Sequence, residues 1–202
     1  MNVRKAVSPA LALIIAGVFA GPTAATLTGF QTYHGNVGYS ADGFASTGQN
    51  GTISANVPAG STVLAAYLYT ATFYTSSTMG DGTTFNGTAV TFDAPVVNTD
   101  ACCSLASRRA DVTSIAKTMI DGGSGGIYNF TLAEASGNQD GESLVVVYSN
   151  PTLAESTFAI LDGFASTSGD TTHVNFADPL DPSPPGFFAE RFLGIAFSYN
   201  GT

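Results

Sequence analysis

The chain has 202 residues, of which 44% are hydrophobic, with 23 Gly, nine Pro and no Trp. That hydrophobic share excludes a disordered chain, and the length suffices for one domain with a substantial core. Fifteen acidic residues against six basic ones give a net charge of −9, which argues against nucleic acid or anionic lipid as a partner.

Arg4 and Lys5 precede an apolar stretch from Ala10 to Ala20. Val18-Phe19-Ala20 offers a small-residue cleavage site, and Thr23-Ala24-Ala25 a second. This is the pattern of a secretory signal peptide over residues 1–20, with cleavage as late as 25. The stretch is shorter than the roughly 20 residues a membrane span needs. Its removal leaves Arg108, Arg109, Lys117 and Arg191 against all 15 acids, a net charge of −11. No basic patch can be built from four such residues, and no membrane span is expected after the signal peptide. The acidity fits solubility outside a cell or divalent-cation binding.

Residues 26–202 are expected to form a single domain. Thr26 to Tyr39 holds short β-prone pieces around Phe30 and Val37. Thr52 to Val57 alternates weakly and reads as an edge strand, followed by a turn at Pro58-Ala59-Gly60. In Val63 to Tyr74 both alternate sets begin apolar, and only one turns polar, at Thr70 and Thr72. That pattern predicts a strand buried on two faces at its start and on one at its end. Asn86-Gly87 between Thr83–Phe85 and Thr88–Phe92 predicts a hairpin, because both turn residues accept positive φ.

Asp111 to Gly122 changes the period. Val112, Ile115, Ala116, Met119 and Ile120 fall at helical spacing, with Asp111 placed to cap and Gly122 placed to terminate. One short helix near 111–121 is expected, laid across the end of a sheet. Strands resume at Tyr128, Phe130 and Leu132. Leu144 to Tyr148 follows, a continuous apolar run bounded by Asp140-Gly141 and Asn150-Pro151, which reads as a central strand covered on both faces. Thr157–Leu161, His173–Phe176 and Phe192–Tyr199 read as further strands, and the proline-rich Asp178–Gly186 as a loop. The whole predicts an all-β fold, an antiparallel β-sandwich of jelly-roll type.

Asp42-Gly-Phe-Ala-Ser-Thr47 recurs as Asp162-Gly-Phe-Ala-Ser-Thr167. The plain reading is two similar turn-into-strand corners; the sharper one is two related halves or a paired ligand loop. The chain stops at Tyr199-Asn200-Gly201-Thr202, a turn that leads nowhere, so the domain is expected to be truncated at its C-terminus.

Candidate chemistry is sparse. Cys102 and Cys103 are adjacent. An ordinary disulfide wants Cα atoms about 4.4–6.8 Å apart, and trans neighbours sit at about 3.8 Å. A strained ring, pairing with downstream partners and free thiols all stay open, with oxidised forms favoured by export. A serine hydrolase would need a nucleophile elbow. Gly38-Tyr39-Ser40-Ala41-Asp42 lacks its last glycine, which leaves His34 and His173 as bases without a nucleophile. The glycine-rich Gly122–Gly126 is followed by neither a lysine nor a helix start, so it is no phosphate loop. Asn138, Asp140 and Glu142 place oxygen side chains at every second residue of a turn and are candidate calcium ligands, although the spacing is not that of an EF-hand. A solvated turn is the alternative. No other cofactor is expected. Carbohydrate binding would draw on Tyr67, Tyr69 and Tyr74, whose alternative use is core packing.

Several stretches together resemble one kind of protein. They are His34–Gly43, Val63–Tyr69, Phe85–Thr88, Ala101–Cys103, Asp140–Asn150, Ile160–Gly163 and Pro185–Glu190. Across most of the mature chain they resemble exported bacterial surface proteins of the PEP-CTERM type. The resemblance implies sorting by an exosortase through a C-terminal Pro-Glu-Pro motif, an apolar helix and a basic end, none of which is in these 202 residues. It brings no catalytic residues. The expected function is a secreted, non-enzymatic cell-surface or extracellular-matrix protein with a structural or adhesive role, meeting extracellular polysaccharide or surface proteins. A carbohydrate- or calcium-dependent binding module is the alternative, and a hydrolase a remote one.

Overall fold

A computed structural model describes residues 27–45, 48–72, 78–98, 105–135 and 139–164, with 171–172, 174, 182–183 and 185–189. The described residues form an all-β, sandwich-like fold with one short helix. A five-stranded central sheet runs in the order β2 (Val37–Phe44), β10 (Gly141–Ser149), β4 (Thr62–Thr72), β8 (Leu105–Asp111) and β7 (Val96–Asn98). A second sheet, in the order β3 (Asn50–Val57), β9 (Gly126–Ala133), β5 (Thr84–Phe85) and β6 (Thr88–Ala89), packs on one face. A two-stranded ribbon of β1 (Thr28–Gly35) and β11 (Ser156–Asp162) packs on the other. Every strand pair is antiparallel.

The apolar run of β10 lies where its pattern requires. It is hydrogen-bonded to β2 on one side and β4 on the other. Leu144, Val146 and Tyr148 face the second sheet, while Val145 and Val147 face the ribbon. Period-two alternation thus feeds two apolar clusters at once. Fully burying a side chain of this size contributes about 2 kcal/mol. Opposite them, Phe85 and Phe130 stack with ring centroids 4.8 Å apart inside the second sheet.

β4 corrects the expected gradient. Its first residues alternate, with Thr62 and Leu64 exposed, and its second half is buried on both faces, Thr70 and Thr72 included. The reason is a bulge. Val147 pairs with Ala65 but Tyr148 pairs with Val63, so Leu64 is the extra residue and is turned outward. The inward face therefore carries Val63, then Ala66 and Leu68.

Helix α1 (Thr113–Ile120) lies along the edge of β4 rather than across a sheet end. β8 pairs only with Tyr67 to Thr72 of β4, which leaves the earlier part of β4 without a strand on the side away from β10. The helix supplies the missing partners: Val112 N–H donates to Ala66 O, Thr113 Oγ1 accepts Ala66 N–H, Lys117 Nζ donates to Val63 O and Asp121 Oδ1 accepts Val63 N–H. Asp111 bonds Thr113 N–H at 2.9 Å from one position before the cap, and Gly122 takes φ +76° beyond the C-terminus. Ala116 and Ile120 face the core.

The Asn86-Gly87 hairpin forms as expected, with φ of 50° and 74°, although β6 is only two residues long. β3 is an edge strand, also as expected. β7 and β8 were not expected, since Ser107-Arg108-Arg109 masks the strand pattern. The strands expected at His173–Phe176 and Phe192–Tyr199 and the loop at Asp178–Gly186 lie outside the described residues, isolated positions aside. So do Cys102 and Cys103.

The ribbon continues the pairing of two strands of the central sheet. Residues 28–44 pair with residues 162–142 as one long antiparallel couple, folded over at Asn36 on one side and 150–155 on the other. Buried Asn150 holds the fold. Its amide donates to Ala59 O and Ser61 Oγ, its Oδ1 accepts Thr152 N–H, and its N–H donates to Asn36 O.

Candidate functional site

Several polar side chains face inward or sideways and hold the layers together. Arg108 on β8 is buried and donates to Met79 O, Phe92 O and Asp93 O and to Asp81 Oδ1, at 2.6–2.8 Å. Such a fork satisfies three loop carbonyls that the sheet leaves over. Arg109, its neighbour, points to the other face. Its guanidinium lies 3.4 Å from the Phe30 ring centroid, and pairs with Asp93 and Asp162. Phe30 occupies a bulge between Gly29 and Gln31, which aims it at the arginine.

The two echo segments have related places. Asp42 is near the end of β2, and Asp162 is the last residue of β11. Each therefore leads out of a strand, not into one. Asp42 Oδ2 accepts Ser54 N–H and Oγ–H, and Asp162 Oδ1 accepts Tyr69 O–H at 2.6 Å. The remainder of each repeat is only partly within the described residues.

Tyr67 and Tyr69 pack beneath the ribbon. Tyr67 O–H and Tyr33 O–H are 3.1 Å apart, and burial raises the Tyr33 hydroxyl above its usual range and pushes Tyr69 up to about 12. Tyr67 is buried and Tyr69 half-buried, and Tyr74 lies outside the described residues. His34 sits on β1 with Thr157 and Glu155 at 3.0 and 2.9 Å. Ser40 Oγ accepts Asn56 N–H across the β2–β3 seam. His173 lies outside the described residues.

Of the candidate calcium ligands, Asn138 is outside the described residues. Glu142 does not face solvent. It is 1% exposed at the start of β10, and Oε1 accepts from Gln139 Nε2 at 2.7 Å and Thr70 Oγ1 at 3.2 Å. Gln139 also bonds Thr70 Oγ1, and its Oε1 accepts Thr83 Oγ1–H and Ala135 N–H. Burial first, and the neighbouring Glu134 carboxyl second, push Glu142 up to about 9. Among the described residues no three His, Cys, Asp or Glu side chains are grouped to hold a metal ion.

What faces outward is the second sheet. Inward on β3 and β9 are Ile53, Ala55, Val57, Tyr128, Phe130 and Leu132, so alternation turns Thr52, Ser54, Asn56, Ile127, Asn129 and Thr131 out. Thr52 stands opposite Thr131, Ser54 opposite Asn129 and Asn56 opposite Ile127. None of these is charged, on a chain of net charge −9. The same alternation is present in the sequence, where the apolar half of each strand marks the inward face. No protein family, curated protein or solved structure matches the chain. Among the described residues no helix is long and apolar enough to cross a membrane.

Proposed function

We propose that this is an exported, non-enzymatic β-sandwich protein of the bacterial cell surface or extracellular matrix, acting by structure or adhesion through the outer face of its second sheet. The observation that carries this reading is the uncharged outward row of Thr52, Thr131, Asn56 and Asn129 on an acidic molecule, with the Asp42 carboxylate engaged at the neighbouring Ser54. Hydroxyl and amide groups hydrogen-bond to neutral polymers, and a row of uncharged side chains suits such a partner better than the acidic remainder of the surface does. Extracellular polysaccharide or neutral surface protein is the partner this chemistry fits. The N-terminal signal pattern and the resemblance to exosortase-sorted proteins support the address. The structural engagement of Arg108, Arg109, Asp42, Asp162 and Glu142 supports a scaffold rather than a reaction site.

Fractionation of the producing cells tests it. The chain is expected in the surface or matrix fraction with its first 20 or so residues removed, and a double variant Asn129→Asp, Thr131→Asp is expected to be retained several-fold less. An intact chain in the cytoplasm, or a double variant retained as well as the parent, overturns the reading.

A further inference from the structure

We infer that Glu142 and Glu134 share one proton, and that this acid pair is a joint between the two sheets which locks in acid and loosens as pH rises. The joint sits where the chain crosses from β9 in the second sheet to β10 in the central sheet. Glu134 directly follows β9, Gln139 lies on the crossing, and Glu142 is the second residue of β10. Gln139 ties three places together: Thr83 just before β5, Thr70 on β4, and Glu142 on β10.

The geometry calls for the proton. Glu142 Oε1 has its donors in Gln139 and Thr70, but no N–H or hydroxyl donor reaches the buried Oε2. Oε2 is thus buried without a partner, and the neighbouring group that acts most strongly on Glu142 is the Glu134 carboxyl. Two carboxylates cannot hydrogen-bond to each other, whereas an acid and a carboxylate can. Burial is greater for Glu142, and it holds the proton as the donor to Glu134. That bond lowers Glu134, although burial still leaves Glu134 raised.

The ionisable groups around the joint are few. The crossing itself brings Glu134 and Asp140, the latter acting on Glu134. β4 offers Thr70 and the turn before β5 offers Thr83, neither of which ionises in this range. Asp81 in that turn is paired with Arg108. β2 places Phe44 beside Glu142. Among the described residues no cation faces Glu142, so loss of the proton leaves a buried charge that none of them compensates.

The sign follows. An unfolded Glu142 loses its proton near 4.5, and the folded one near 9. The joint is at full strength below the lower value, and its contribution is lost progressively as pH rises toward the upper one. The test is urea denaturation and amide hydrogen exchange of the full chain from pH 4.5 to 9 in the presence of chelator, so that no metal substitutes for the proton. The parent is expected to lose stability as pH rises, with exchange at Thr83 and at 139–142 accelerating first. Glu142→Gln, which keeps a neutral hydrogen-bonding group, is expected to flatten most of that slope. Glu134→Gln, which takes away a neighbour that raises Glu142, is expected to make the loss smaller and to end it at lower pH. Should Glu142→Gln not fold, the infrared band of a protonated carboxylic acid, present in the parent at pH 7 and absent in the unfolded chain, decides in its place. A parent whose stability does not fall over this range, equal slopes in parent and Glu142→Gln, or no protonated acid band at pH 7 overturns the inference.

Discussion

Asp42 accepts two hydrogen bonds from Ser54 on a single carboxylate oxygen, from the backbone N–H and from the hydroxyl, both at 2.7 Å. The two residues belong to edge strands of different sheets, β2 and β3. β3 pairs with β9 on one side, and its other side would present bare N–H groups. Asp42 covers one of them, and Ser40 covers the next at Asn56. The sandwich is thereby closed along this seam by side chains instead of a backbone ladder. Asp42→Ala is expected to cost about 2 kcal/mol in urea denaturation, the scale of hydrogen bonds to a charged group. Uncovering the β3 edge is also expected to promote association, visible by sedimentation.

Arg109 fastens the ribbon to the central sheet through Asp162, Asp93 and the face of Phe30. Arg109→Lys keeps the charge but not the flat stacking or the fork. It is expected to lose about 1 kcal/mol, and Arg109→Ala about 2 kcal/mol. Amide exchange is expected to rise in β1 and β11 before it rises in β10.

Arg108 differs from its neighbour in being buried with backbone acceptors. Arg108→Ala leaves the carbonyls of Met79, Phe92 and Asp93 without this donor. The expected loss is about 3–5 kcal/mol, enough to unfold a marginal domain, read from the denaturation midpoint. Arg108→Met, which fills the space, is expected to recover little, because the carbonyls stay unsatisfied.

Two glycines separate backbone strain from collision. A Cβ at Gly87 meets nothing, but φ is +74°, so Gly87→Ala is expected to cost about 1 kcal/mol. Gly51 has ordinary φ, and a Cβ there runs into the Phe44 ring, which packs against the main core. Gly51→Ala is expected to cost more, about 1–3 kcal/mol, because the ring must leave its place. Thermal denaturation of both variants gives the order.

The sequence made the local elements legible where one rule dominated. The β10 run, the Asn86-Gly87 turn, the alternation around Phe130 and the helical spacing from Val112 to Ile120 each follow from nearby residues. β8 was not legible, because Arg108 is buried only by virtue of acceptors 15 to 29 positions away. Glu142 looked like the rim of a solvated turn for the same reason: Thr70 lies 72 positions off. The polar end of β4 is its buried end, since Thr70 answers Glu142 and Gln139. The bulge at Leu64 shifted the alternation by one residue, which the sequence did not reveal. The outward row of β3 and β9 was visible in pattern, but its lack of charge acquires meaning only beside the acidic remainder.

Thr28 and Asp162 stand opposite each other at the open end of the folded strand couple. Chain leading into the fold and chain leaving β11 therefore depart from one corner. Tension applied through these two points would load the couple one rung at a time, like a zipper, rather than shearing all rungs together. The first rungs to part carry Asp162, so the Arg109 and Tyr69 contacts form the initial resistance. Beyond them the tear must turn at Asn150, where the direction of pull changes with the fold of the strands. In that geometry the ribbon of β1 and β11 takes up tension before β2 and β10 do.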